Sequence, residues 1–236
     1  MDFAIAAAPA FWLALLSIVI TNILLSGDNA VVIALASRNL PKEQQGKAIF
    51  WGTALAIALR IILTITAVQL LTLPYLKIAG AIALMYIGVQ LIADGGDDAL
   101  SAKAQSHLWG AIRTIFVADL VMSLDNVVAV AAAAQNGPVD ARLALLIIGL
   151  ALSIPLIIFG STLLLKVIER FPMMIILGAG LLGLLAGGML LDDPIMKAYV
   201  QLSAIDLHML FGGIGAVSVI LLGLHLKRKN TKRSRT

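Results

Sequence analysis

Seven apolar stretches of roughly 20 residues or more, at 11–36, 48–71, 74–93, 109–134, 143–165, 172–191 and 208–226, dominate this chain. Each can cross a hydrocarbon core ~30 Å thick as a helix. Backbone groups in a bilayer cannot bond to water, so only helices or closed barrels satisfy them. Barrel strands would alternate polar and apolar residues over ~10 positions, and these runs do not. The expected fold class is all-α, a polytopic membrane protein with seven transmembrane helices. A content of 61% hydrophobic residues and a mean hydropathy of +1.01 exceed the roughly half-apolar usage of soluble domains.

The N-terminal Met1-Asp2-Phe3 lacks the basic region of a signal peptide, so the first span is expected to be retained. Without cysteine there is neither a disulfide framework nor a thiolate metal site. The net charge of +4 carries orientation. With alternate loops assigned to opposite sides, one side holds Arg38, Lys42, Lys47, Lys103, Arg113, Lys166, Arg170 and the six basic residues from Lys227 to Arg235. The other holds Lys77, Arg142 and Lys197. Thirteen against three places the N-terminus outside and the C-terminus in the cytoplasm. The short loops and this bias fit a bacterial inner membrane. Beside a final span, the basic tail reads as an anchor to anionic lipid rather than a nucleic-acid site.

A shift of 97 residues aligns the two halves. Over 26–41 against 123–138, eight of sixteen positions are identical, among them Ser26/Ser123, Asp28/Asp125, Asn29/Asn126, Asn39/Asn136 and Pro41/Pro138. Asn22 falls opposite Asp119, and Gly52 opposite Gly149. Each repeat holds three spans, an odd number, so the repeats are expected to be inverted about a midplane site. The domain reading is one integral membrane domain, 1–226, with repeat one at 11–93, repeat two at 109–191, and an extra, peripheral helix at 208–226. Residues 227–236 form a basic cytoplasmic tail. Asp97 and Asp98, in the loop from Asp94 to Ser106, read as solvated turn residues.

Ser26-Gly27-Asp28-Asn29 and Ser123-Leu124-Asp125-Asn126 place carboxylates deep in apolar runs, at a cost of roughly 2.5–3.5 kcal/mol each on insertion scales. Adjacent helical residues point ~100° apart, so Asp and Asn can serve one ion only if the helix unwinds locally. Gly27 eases that in the first copy, whereas Leu124 stands there in the second, so the halves are expected to differ locally. Unwinding would also free backbone carbonyls as ligands. Asp119 is a third intramembrane carboxylate. Depth along the helices pairs Asp28 with Asp119 and Asn126 with Asn22, with the Ser26 and Ser123 hydroxyls within a turn. Such an all-oxygen set suits Mn²⁺, Mg²⁺ or Ca²⁺. The bland alternative is polar glue between helices. Arg60, the one cation deep in a span, is either a structural partner of an aspartate or a counter-charge that fills the site when an ion leaves. Pro155 is expected to kink span five, and the glycines of span six to serve packing. Asp192, Asp193, Asp206 and His208 read as a solvated outer loop.

The stretches Asn22-Ile23-Leu24-Leu25-Ser26-Gly27-Asp28-Asn29-Ala30 and Asp119-Leu120-Val121-Met122-Ser123-Leu124-Asp125-Asn126 resemble the TerC family of integral membrane proteins. Length and layout are similar to its compact, YjbE-type bacterial branch of metal transporters, which is implicated in manganese export. The resemblance implies that Asp28, Asn29, Asp119, Asp125 and Asn126 are the metal-site positions, with Asn22, Ser26, Ser123 and Arg60 supporting them. Asn22 lacks the charge of its counterpart Asp119, which departs from a symmetric four-carboxylate site.

The function expected from these readings is export of a divalent cation, with Mn²⁺ as transported substrate and exchange against protons as an option. Two alternatives stay open: a metal-delivery partner of secreted enzymes, and a transporter of small organic solutes. No prosthetic group, nucleic-acid partner or enzymatic reaction is expected, since no nucleophile and base accompany the aspartates. The expected partners are the ion, the lipid bilayer and, optionally, a second copy of the chain.

Overall fold

The computed structural model describes residues 9–70, 73–93, 108–199 and 204–233, and within these not the side chains of 67–70, 125, 197–199, 204–206 and 233. Asp97, Asp98 and the end of the basic tail therefore lie outside the described residues, as do the side chains of Asp125 and Asp206. Among the described residues the elements are helical: α1 (Pro9–Leu24), α2 (Gly27–Ser37), α3 (Lys42–Leu70), α4 (Leu76–Ala93), α5 (Leu108–Gln135), α6 (Arg142–Arg170), α7 (Met173–Leu191), α8 (Pro194–Tyr199) and α9 (Ala204–Arg233), with a 3₁₀ turn at Val139–Ala141.

Five of these helices are long and apolar enough to cross a membrane. The count becomes seven when α1 with α2, and the two arms of α5, are each taken as one span. These two are the spans that carry the Asp-Asn motifs. α1 and α2 meet at 50°, and α5 bends by 61° between Leu108–Leu124 and Asn126–Gln135. α9 outlasts its apolar run, which was expected to stop at 226, and continues through Lys227-Arg228-Lys229 to Arg233. Lys and Arg are good helix formers and complement the negative end of the helix dipole. α6 runs unbroken through Pro155.

The helices pack as two groups. In the first, α3 lies along α5, α6 lies along both α1 and α2, and α1 and α2 also touch α5. In the second, α4 and α7 pack together and α9 packs on both. The groups meet chiefly where α4 touches α5, with lighter contacts of α7 to α2 and α6. Two close approaches recur within the first group. Gly52 of α3 admits the Ile115 side chain of α5, and Gly149 of α6 admits Ile18 of α1. Large apolar side chains such as Trp12, Trp109 and Phe159 point outward, 59%, 74% and 69% exposed. An outward face of that kind is at home against lipid and not in water.

The last helix lies at the edge of the bundle but is bound closely. A side chain at Gly183 or Gly187 of α7 would run into the backbone of α9 at Gly215, Phe211 and Gly212. In a bilayer, where lipid is as apolar as leucine, such backbone proximity is a main source of helix association. Gly178 likewise admits Val31 and Leu35 of α2. The glycines of this span thus pack, as expected from the sequence.

Asp193, read from the sequence as part of a solvated loop, is instead wholly buried. Its Oδ1 accepts the N–H groups of Tyr75 and Ile195, each at 3.1 Å. Tyr75 has a left-handed φ of 65°, a strained setting for a bulky residue, and this bond helps to hold it at the start of α4. Burial alone would raise the Asp193 pKa. The backbone N–H groups of Ile195, Tyr75, Ile78 and Lys77 outweigh it and hold the carboxyl below its ordinary value of 3.8.

Two outcomes follow from this packing. Gly187→Leu is expected to lower the melting temperature of detergent-purified protein by many degrees, whereas Gly213→Leu, which has open space around it, leaves it unchanged. Similar losses at both positions would contradict backbone-to-backbone docking of α9. A depressed carboxylate pKa stabilises the fold above the unfolded value and loses its effect as pH falls through the folded value. Melting curves of wild type and Asp193→Asn should thus differ above about pH 4 and converge below it.

Candidate ion site

The site begins where α1 stops. Leu25 and Ser26 form a turn between α1 and α2, and Ser26 sits at φ −111°, ψ 6° as the residue before the new helix. A serine there would ordinarily cap α2 with its hydroxyl, but this one makes no capping bond. Its Oγ accepts from Arg60 Nη1 at 2.9 Å and lies 3.5 Å from Asn22 Oδ1. Asp28 serves the new helix end instead. It is partly buried, and its Oδ1 accepts the Asn29 N–H at 2.8 Å, a favourable place for a negative charge beside the positive end of a helix dipole.

Arg60 comes from the middle of α3 and is 1% exposed. Its guanidinium donates from Nε to Ser123 Oγ at 2.9 Å, from Nη1 to Asn22 Oδ1 at 2.5 Å and Ser26 Oγ, and from Nη2 to Asp119 Oδ1 at 2.6 Å. Four of its five N–H groups are therefore used. Asp119 Oδ1 also accepts Asn29 Nδ2 at 2.9 Å, and Oδ2 accepts the Ser123 hydroxyl at 3.0 Å. A buried ion pair is tolerated only with such additional bonds around it.

The cluster leaves two buried atoms without a hydrogen-bond partner, Asn29 Oδ1 and Asn22 Nδ2. Flipping either amide would set its oxygen against the Asp119 carboxylate or its NH₂ against Arg60, so the assignment is fixed by the network. The free amide oxygen of Asn29 stands on a side chain already bonded to Asp119, and a cation would satisfy it.

The structure thus joins Asn22, Ser26, Asn29, Arg60, Asp119 and Ser123. The partners differ from those that depth alone predicted. Asn29, rather than Asp28, bonds to Asp119, because the turn at Leu25–Ser26 re-aims the first residues of α2. Asn126 Nδ2 crosses to the Leu25 carbonyl oxygen at 2.9 Å rather than to Asn22. That acceptor lies in the turn, and no side-chain pattern could have marked it. No left-handed φ occurs at any described glycine, and α5 bends with Leu124 in the matching place. The bend therefore does not depend on Gly27. The first copy is interrupted by a turn and the second is bent but helical, so the halves do differ locally. Among the described residues no three His, Cys, Asp or Glu side chains converge as a metal cluster; the Asp125 side chain lies outside them.

A crevice of about 360 Å³ runs between α4 and α5, lined by Ala83, Tyr86, Ile87, Gly110, Arg113, Thr114 and Val117. Val117 is two residues from Asp119.

Bent apolar spans around a buried polar cluster define an integral membrane protein. The chain matches the Integral membrane protein TerC family over residues 7–231 and belongs to it. It is 45% identical over 190 residues to the membrane protein YjbE of Bacillus subtilis (strain 168), covering 80% of this chain and 84% of YjbE. It is 30% identical over 131 residues to YkoY of the same organism, covering 54% of this chain and 40% of YkoY. The protein YegH of Escherichia coli (strain K12) is 23% identical over 252 residues, covering 98% of this chain and 46% of YegH. The chain thus spans less than half the length of the last two. No solved structure matches it.

Removing one member of a buried pair leaves the other bare. Asp119→Leu is expected to cost about 3–5 kcal/mol of stability, and Arg60→Met with Asp119→Leu distinctly less than that single change. A double loss equal to the sum of the two single losses in reversible unfolding from detergent micelles would show that the two side chains are not coupled.

Proposed function

We propose that this chain is a secondary transporter that exports a divalent cation, with Mn²⁺ as the cargo, through the cluster around Asp119. The observation that carries this reading is the unpartnered, buried Asn29 Oδ1 on a side chain bonded to Asp119, at the break between α1 and α2. A hard cation would find carboxylate, amide and hydroxyl oxygens there. Asp28, Asp125 and Asn126 complete the proposed ligand positions. Manganese is favoured over the other hard cations by the family resemblance alone.

Inverted repeats belong to the proposal. In their support, the contact of α3 with α5 is mirrored by that of α6 with α1 and α2. Gly52 on Ile115 and Gly149 on Ile18 are the same pair exchanged under the 97-residue shift. The proposed orientation, in a bacterial inner membrane with the N-terminus outside, rests on the basic-residue bias. The crevice between α4 and α5 then opens toward the cytoplasmic half and offers a route to the site.

The test is Mn²⁺ flux into proteoliposomes, with Asp119→Asn and Asp125→Asn as paired controls. Saturable flux that falls at least tenfold in either variant supports the proposal, and its response to a pH gradient decides proton exchange. Absence of flux from folded protein that still binds Mn²⁺ would sink autonomous transport and favour a metal-delivery role.

A further inference from the structure

The oxygens that make this site fit for a cation already hold one. Arg60 draws on Asn22 Oδ1, Ser26 Oγ, Ser123 Oγ and Asp119 Oδ1 together, a set supplied by α1, the turn after it and α5. We propose that Arg60 is a tethered substitute for the cargo: it neutralises Asp119 while the site is empty of ion, and it leaves Asp119 when a divalent cation binds. This deepens the ion-site reading above and rests on its cation-binding half.

Three observations carry the exchange. First, Asp119 has little capacity to spare. Oδ1 accepts from Arg60 and Asn29, and Oδ2 from Ser123, so of roughly four lone-pair sites one is left, on Oδ2, and an ion that engages Oδ1 has to displace a donor. Second, a divalent ion and a guanidinium on the same carboxylate repel each other where water cannot screen them. Each therefore weakens the hold of the other on Asp119. Third, the head of Arg60 is held by side chains alone, on a long, flexible stem, so it can be released without breaking a helix. A released guanidinium in the membrane interior needs another acceptor. Asp28 is partly buried and within electrostatic reach of it. A purely structural ion pair would account for the bonds of Arg60. It would not account for the free Asn29 amide oxygen beside the same carboxylate.

The experiment compares melting temperatures of purified wild type, Arg60→Gln, Arg60→Lys and Arg60→Gln/Asp119→Asn across a Mn²⁺ titration. Arg60→Gln, with Asp119 bare, is expected to melt lower than wild type without Mn²⁺. It should rise further on adding Mn²⁺, with half-saturation at a concentration at least tenfold lower. Arg60→Lys keeps the charge but cannot reach four acceptors at once, and should fall between the two. The double variant, which lacks the carboxylate charge, should show no added rise. A Mn²⁺ response in Arg60→Gln equal to or weaker than that of wild type would overturn the proposal and leave Arg60 a structural partner. Should Arg60→Gln yield no folded protein even in Mn²⁺, a wild-type response in Arg60→Lys would overturn it equally. Wild-type flux is scored apart: its absence removes the transport reading, while the exchange of ion for arginine still stands or falls on the melting curves.

Discussion

A guanidinium held 2.6 Å from a carboxylate, both buried among apolar helices, is the interaction on which the rest of this structure depends. Neither charge can be solvated in the bilayer interior, so each fixes the position of the other. Arg60 ties α3 to α5 through Asp119 and Ser123, and to α1 through Asn22. It also takes the Ser26 hydroxyl, which would otherwise cap α2. The break in the first span and the charge cluster are thus one feature. The serine that precedes α2 is committed to the arginine, and Asp28 takes over at the new helix start.

The two helix groups divide the work of the fold. α1, α2, α3, α5 and α6 enclose the polar cluster, and α4, α7 and α9 form a compact unit locked by glycine contacts. α9 therefore does more than fill an edge, because it fastens the third spans of both halves to one another. The crevice between α4 and α5 lies along the seam between the groups. That seam has fewer close backbone contacts than either interior.

Much of this was legible in the chain. The seven apolar runs match five unbroken helices long and apolar enough to cross a membrane and two bent ones that reach that length as pairs, because length and composition are already written in the sequence. The need to unwind near Asp28-Asn29 followed from the 100° step between neighbours, and both motif spans bend there. The inward-facing residue was not legible. A short turn changes the direction of every side chain after it, so Asn29 meets Asp119 although Asp28 was the better match by depth. The Leu25 carbonyl leaves no trace in side-chain pattern. Asp193 was misread for a related reason: its partners are backbone N–H groups, and a carboxylate that closes a helix end looks the same in sequence as one in water.

The departures from symmetry are themselves ordered by charge. Under the 97-residue shift Arg60 corresponds to Ile157, and Asp119 to Asn22. A symmetric arrangement of this cluster would bring two arginines and two aspartates together, and like charges crowded in a low dielectric repel strongly. This chain keeps one cation and one anion, each from a different half, and fills the two other places with a neutral amide and a buried isoleucine. The Asn22 oxygen then becomes an acceptor for Arg60 rather than a competitor of Asp119. The duplicated motif therefore builds a site whose two halves differ in role: the first supplies the helix break, the amides and the arginine, and the second supplies the carboxylate they converge on.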